Sequence, residues 1–243
     1  MATTVNADVG EGIGLHQFGN DEELMTLIDV ANVACGFHAS DPQVMEKTVR
    51  LASDNGVAVG AHPGLPDIAG FGRRAMTLNR DEVENLVRYQ VGALTGFLKK
   101  YGTELNHIKP HGALYGMVGR DPELMRGVAR VASDYGVAVL GLANTEHRRI
   151  CEETGVPFIA EIYVDLNYAP DGTLIIERSP APADPAAAAD RVRTALSEGW
   201  TEAVDGTRLP VTFGSVCVHS DPANAPDVVR AVRSAIDDIE HGQ

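Results

Sequence analysis

A chain of 243 residues, 44% of them hydrophobic and with a formal net charge of -14, is long enough to bury a substantial core, and it contains no apolar run of membrane-spanning length. The excess of acid argues against nucleic-acid binding, which needs clustered Lys and Arg to neutralise phosphates, and mainly serves solubility. Its three cysteines form no paired framework, and "MATTVNADVGEG" has neither the basic segment nor the long apolar run of a secretion signal, so the expectation is a reducing cytoplasm and no disulfides.

Along the chain, short apolar or β-branched runs alternate with amphipathic segments. "TTVNAD" and "VANVACGF" read as strands. After them "SDPQVMEKTVRLASDNG" reads as a helix: Asp41 caps it, Pro42 sits in the first turn where a missing N–H is tolerated, and Gly56 stops it. "VAVGAH" follows as a strand, then a helix from Asn79 to Gly102, then the strand "ELNHIKPH". "RDPELMRGVARVASDYG" repeats the earlier grammar from Asp121 and Pro122 to Gly136. "VAVLGLA" and "PFIAEIYVD" are further strands, and "SPAPADPAAAAD", 179 to 190, is a loop leading into a helix. "GSVCVHS" is the last strand, before a final helix in "DPANAPDVVRAVRSAIDDIEHG".

"LASDNGVAVGA" from Leu51 and "VASDYGVAVLG" from Val131 are the same helix end, glycine stop and buried strand written twice. Regular β/α alternation implies right-handed crossovers and a parallel sheet. Seven strand candidates in an unbroken series predict a seven-stranded β/α (TIM-like) barrel forming a single catalytic domain over 1–243. The alternative is an open flavodoxin-like sheet, although no G-x-G-x-x-G fingerprint follows the first strand.

Polar residues recur at the strand ends. Asn6, Asp8 and Glu11 follow the first strand, His38 the second and His62 the third. Lys109 and His111 lie at the fourth, Glu161 and Asp165 at the sixth, and His219 and Asp221 at the seventh. In a parallel barrel these ends converge on one mouth. Lys109 and His111, like Asn6 and Asp8, share a face because extended side chains alternate with period two. Each residue also has a simpler reading. Asp8 or Asp221 could cap the following helix, and a lone strand-end histidine is usually a hydrogen-bonded structural group. Four histidines at four strand ends, with carboxylates beside them, favour a site. Arg73 in "GFGRRAM" is either a solvated surface residue or an anion clamp. Cys35 and Cys217 near strand ends are better read as small buried residues than as nucleophiles.

Such a mouth suits hydrolysis of a small amide: histidines and carboxylates relay protons, a lysine stabilises an oxyanion or binds a carboxylate, and Asn6 fixes an amide. The second reading is a divalent metal that activates water. It rests on tertiary convergence alone, because no H-x-x-x-H or H-E-x-x-H pairing is present.

The stretches "VNADVGEG", "ANVACGFHASD", "GAHPGLPDIAGFGRR", "HIKPHGALY", "EIYVDLNYAPDGTL" and "VCVHSD", in order over almost the whole chain, resemble the LamB/YcsF family. The resemblance implies a barrel similar to those of glycoside hydrolases and deacetylases, and ATP-dependent opening of 5-oxo-L-proline (pyroglutamate) to L-glutamate. It also implies partner 5-oxoprolinase subunits B and C that use the ATP, in keeping with the lack of a G-x-x-x-x-G-K-[ST] loop here. On that basis Asp8 or Glu11 is expected to act as general base, and His38 and His62 to position water or relay protons. Lys109 and His111 are expected to hold the lactam oxygen or its phosphate, and Arg73 the substrate carboxylate, with Asn6, Glu161, Asp165 and His219 also lining the substrate. A homo-oligomer stays open, as does a metal-dependent amidase or deacetylase, or a non-catalytic lactam-binding subunit. Three positions depart from the pattern of many members. Leu166 replaces an arginine after Asp165, Gly116 replaces an asparagine, and Ser220 replaces a glycine. The lost arginine bears on which lactam is taken.

Overall fold

The computed structural model describes residues 2–17, 19–176 and 181–242, so residues 179 and 180 of the predicted loop fall outside it. In chain order the elements are β1 (Thr4–Val9), α1 (Asp21–Leu24), β2 (Val30–Ala34), α2 (Pro42–Asn55), β3 (Ala58–His62), a 3-10 turn (Ile68–Gly70), α3 (Arg80–Tyr101), β4 (Leu105–Ile108), α4 (Gly112–Val118), α5 (Pro122–Tyr135), β5 (Ala138–Leu142), α6 (Glu146–Thr154), β6 (Phe158–Tyr163), β7 (Asn167–Tyr168), β8 (Leu174–Ile175), α7 (Pro185–Glu198), β9 (Trp200–Glu202), β10 (Arg208–Pro210), β11 (Ser215–Val218) and α8 (Ala225–Glu240). The seven predicted strands are β1 to β6 and β11, and they close a parallel barrel in the order β1-β11-β6-β5-β4-β3-β2. The four remaining strands form two antiparallel ribbons, β7 with β8 and β9 with β10.

The helix ends follow from local chemistry. Asp41 Oδ1 accepts from the N–H groups of Gln43 and Val44 at 2.8 and 3.0 Å, and Asp121 caps α5 through Glu123 and Leu124 in the same way. Asn79 forms a reciprocal capping box with Glu82. The sequence echo is an echo in structure. Gly56 and Gly136 take left-handed φ values of 69° and 67°, which only glycine adopts cheaply, and Val57 N and Val137 N each donate to the carbonyl five residues back at 3.0 Å. These stops turn α2 into β3 and α5 into β5. Of the two readings of Asp221, the helix cap is not formed: α8 starts later, after Asn224, and Asp221 pairs with Arg73.

The outward residues of the barrel wall, among them Val5, Ala7, Val33, Val59, Val139, Ile162 and Val216, are buried beneath Val49, Val87, Leu94, Val128 and Val232 of the helices. Burial of each Val or Leu side chain stabilises the fold by about 1.5–3 kcal/mol. The inward face is different, because its period-two partners are polar: Asn6, Asp8, Asn32, His107, Lys109, Glu161 and Ser215, all buried. A bulge in β4 opposite β3, together with Gly60, makes room for one of them. A Cβ on Gly60 would lie 2.0 Å from the His107 ring.

Candidate functional site

The floor of the site is a hydrogen-bonded column inside the barrel. Asn32 Nδ2 donates to Asn6 Oδ1 and Asp8 Oδ1, both at 2.8 Å, and its own Oδ1 faces His107 Nε2 at 2.7 Å. Asn6 Nδ2 donates to Ser215 Oγ at 2.8 Å. Lys109, 1% exposed, stands at the centre. Its Nζ reaches Asn6 Oδ1 at 3.1 Å, Asp8 Oδ1 at 3.2 Å, Glu161 Oε2 at 3.1 Å and Cys217 Sγ at 3.0 Å. Glu161 Oε1 also accepts from the hydroxyls of Tyr115 and Tyr163. Every buried charge here has a partner, as desolvated charge requires.

The period-two expectation for Lys109 and His111 is met beyond the end of β4. Lys109 N donates to Ala61 O and His111 N to Pro63 O, both at 2.9 Å, so the parallel ladder continues through Pro110. This puts Lys109 in the column and His111 one layer higher, at the mouth.

There His111 meets Glu11, His38 and His62. The Lys109 carbonyl accepts from His62 Nδ1 at 2.7 Å and the Phe71 carbonyl from His111 Nε2 at 2.7 Å. Carbonyls only accept, so these ring nitrogens carry hydrogens and the opposite nitrogens point inward. His62 Nε2 lies 3.0 Å from His111 Nδ1, which lies 3.4 Å from Glu11 Oε1; His38 Nε2 is 3.2 Å from the same oxygen. The His38 and His111 rings stack at 3.6 Å. Glycine makes this possible, since a Cβ on Gly64 would sit 2.3 Å from the His38 ring and one on Gly72 2.8 Å from His111. The four ligating atoms of Glu11, His38, His62 and His111 lie within 4.8 Å of one another, a donor set of the kind that holds divalent transition metals.

Across the mouth, Asp165 accepts from His219 N at 2.6 Å and from its Nδ1 at 3.1 Å, aiming Nε2 at Asp8 Oδ2, 3.7 Å away. His62 Nε2 approaches that oxygen to 3.3 Å. Arg73 lies over the Phe71 ring with Nη2 3.3 Å from Asp221 Oδ2.

Environment separates the protonation states. Burial raises the Asp8 pKa, but His62, Lys109 and His219 outweigh burial and hold it well below the usual carboxylate range. Glu11, only a turn of chain away, is pushed up to about 8 by burial and by Asp8. Burial lowers His219, yet Asp165 and Asp8 lift it to about 9. Burial drives His38 and His111 well below the ordinary imidazole value, so both stay neutral. Burial lowers Lys109, and Asp8, Cys217 and Glu161 more than restore its charge. The Cys217 thiol is pushed well up by burial and stays protonated. The mouth therefore pairs an ionised carboxylate with a charged histidine beside a neutral carboxyl and two neutral imidazoles, an arrangement suited to proton transfer at neutral pH.

A cavity of about 30 Å³, room for water, borders Asp8, His62, His111, Tyr163 and His219. Its outer wall adds Arg73, Leu166, Leu174 and Ile176. The candidate site residues lie at two depths: Asn6, Lys109 and Glu161 form the floor, and Asp8, Glu11, His38, His62, His111, Asp165 and His219 the mouth, with Arg73 lining the cavity and paired with Asp221. Sequence reasoning missed Asn32, His107, Tyr115 and Tyr163. For Asn32 and His107 the signal was present, as polar residues at period-two positions within apolar strands.

Fold and site together define a closed seven-stranded β/α barrel with a buried histidine and carboxylate centre at the C-terminal ends of its strands. The LamB/YcsF family model matches residues 3–242, and the chain belongs to that family. It is 43% identical over 239 residues to the lactam utilization protein lamB of Emericella nidulans, covering 97% of this chain and 94% of the relative. It is 42% identical over 242 residues to the 5-oxoprolinase A subunit of Thermococcus onnurineus, covering 98% and 95%. The crystal structure of the lactam utilization protein from Thermus thermophilus superposes with a TM-score of 0.90 at 40% identity, covering 99% of this chain and 98% of that one.

Proposed function

We propose that this chain is the ring-opening subunit of an ATP-dependent 5-oxoprolinase, converting 5-oxo-L-proline or a close lactam to L-glutamate with subunits B and C in the cytoplasm. The observation that carries the reading is Asp8, ionised and buried between Lys109 and His219 beside a water-sized cavity. The names of the relatives support the substrate class.

A five-membered lactam resists water because its amide is resonance-stabilised and its nitrogen leaves poorly. Phosphorylation of the lactam oxygen at the expense of ATP, on the partner subunits, makes the ring carbon an electrophile that a weakly basic carboxylate suffices to help hydrate. Water in the cavity gives a proton to Asp8 as its oxygen bonds to the ring carbon. The C–N bond then breaks as the nitrogen takes a proton from His219, which Asp165 holds charged, and leaves γ-glutamyl phosphate; a second water hydrolyses this acyl phosphate to L-glutamate and inorganic phosphate. Lys109 acts as a positioning residue here and not as a ligand for the lactam oxygen, since its ammonium is fully engaged below Asp8. Arg73, exchanging Asp221 for the substrate carboxylate, orients the ring at the outer wall.

Glutamate release from 5-oxoproline by the chain alone and with subunits B and C, with and without ATP, tests the reading. Release is expected only in the complete mixture with ATP. Absence of release there, with all three subunits folded and associated, refutes it. His219→Gln in that mixture is expected to lower kcat by about 100-fold or more.

A further inference from the structure

We infer that Glu11, His38, His62 and His111 form a binding site for one divalent transition-metal cation of the zinc type. The inference shares the mouth of the proposed ring opening but depends on neither its substrate nor its ATP.

Three observations carry it. The first is spacing. Adjacent ligand atoms stand 3.2 Å apart for His38 Nε2 and Glu11 Oε1, 3.4 Å for His111 Nδ1 and Glu11 Oε1, and 3.0 Å for His111 Nδ1 and His62 Nε2. Zinc bonds of about 2.0–2.2 Å place tetrahedral ligand atoms about 3.4 Å apart, and these three contacts fall near that spacing, with all four atoms within 4.8 Å of one another. The second is orientation from outside the cluster. His62 and His111 donate their other ring N–H to the carbonyls of Lys109 and Phe71, the outer contact that fixes the tautomer and ring plane of metal-bound histidines. The third is access, because His62 and His111 line the cavity that opens at the mouth.

With the ring hydrogens of His62 and His111 turned outward to the two carbonyls, the lone pairs of His62 Nε2 and His111 Nδ1 face each other at 3.0 Å, an opposition that a dication between them relieves. The neighbouring group of Asp8, Cys217 and His219 has comparable donors, but the Lys109 ammonium already sits against Asp8 and Cys217. The cation therefore belongs to the histidine cluster and not to the Asp8 side.

The test is binding, with no turnover in the readout. The full chain, stripped with a chelator, is titrated with Zn²⁺ or Co²⁺ alone, and metal content is measured by elemental analysis after desalting. About one equivalent is expected, with a Co²⁺ visible spectrum showing nitrogen and oxygen ligands in a low-symmetry, four- or five-coordinate site. Glu11→Gln and His38→Asn, each checked for cooperative melting, are expected to weaken binding by about 100-fold or more. Should either variant fail to fold, the wild-type Co²⁺ spectrum and stoichiometry still decide. No uptake by folded wild-type chain overturns the metal site and leaves the ring-opening reading intact. Uptake undiminished in both folded variants, or a spectrum of a fully hydrated octahedral ion, shows an adventitious ion and overturns it equally.

Discussion

Replacing Lys109 by Met removes one positive charge from the barrel floor and keeps most of the side-chain volume. The ammonium faces Asp8 Oδ1 at 3.2 Å and Glu161 Oε2 at 3.1 Å, and all three side chains are buried. At an effective dielectric of 20, each contact has a gross attraction of about 5 kcal/mol, most of which offsets the cost of desolvating the ions. What the substitution exposes is the uncompensated remainder, about 3–5 kcal/mol for a buried pair broken from one side. For a chain of this length that lowers the melting temperature by about 6–20 °C. Urea unfolding followed by circular dichroism at pH 7 and at pH 5 measures it. The loss is expected to be smaller at pH 5, because Asp8, no longer held well below its usual range by Lys109, relieves the mutant by taking up a proton. A loss under about 1 kcal/mol at pH 7, or one unchanged at pH 5, would refute the account of Lys109 as the counter-ion that keeps Asp8 ionised.

The mouth makes the chain's stability fall on the alkaline side. His219, raised from 6.5 to about 9, contributes fully below pH 6.5 and loses that contribution as the pH climbs through 9, on the order of 3 kcal/mol. Glu11, raised from 4.5 to about 8, acts with the same sign, its contribution disappearing between those values. Thermal melts of chelator-treated protein are expected to drop from pH 6.5 to 9, and less steeply in His219→Gln; parallel curves would contradict the Asp165–His219 coupling. Gly60→Ala drives a Cβ into the His107 ring and should cost about 1–3 kcal/mol, whereas Gly96→Ala, with open space around it in α3, should stabilise by about 0.4–1 kcal/mol. Chemical denaturation of the two variants side by side checks both signs. Leu166→Arg, placing a guanidinium on the apolar outer wall, is expected to lower KM for 5-oxoproline about tenfold in the complete ATP-containing mixture, and an unchanged KM would locate the substrate carboxylate elsewhere.

The barrel was legible in the sequence because its signals are local. Caps such as Asp41 and Asp121, stops such as Gly56 and Gly136, and the apolar strand runs act within a few residues of where they are written. The short α4 and α6 and the two ribbons escaped, since elements of two to nine residues carry too little periodicity to stand out. The site was legible as a list: period two put Asn6 with Asp8 and Lys109 with His111 on one face, and the barrel topology sent them to one mouth. Depth was not legible. That Lys109 turns down into a cage of Asp8, Glu161 and Cys217 while His111 rises to stack on His38 depends on partners 52 to 108 residues away. Likewise, nothing local gives Asp221 to Arg73 in preference to the start of α8. The sequence by itself determined which residues reach the axis, because backbone alternation and helix caps are short-range. Only the tertiary structure decided which of them are charged and what each one faces, because desolvation and Coulomb interactions depend on distances that exist only once the barrel has closed.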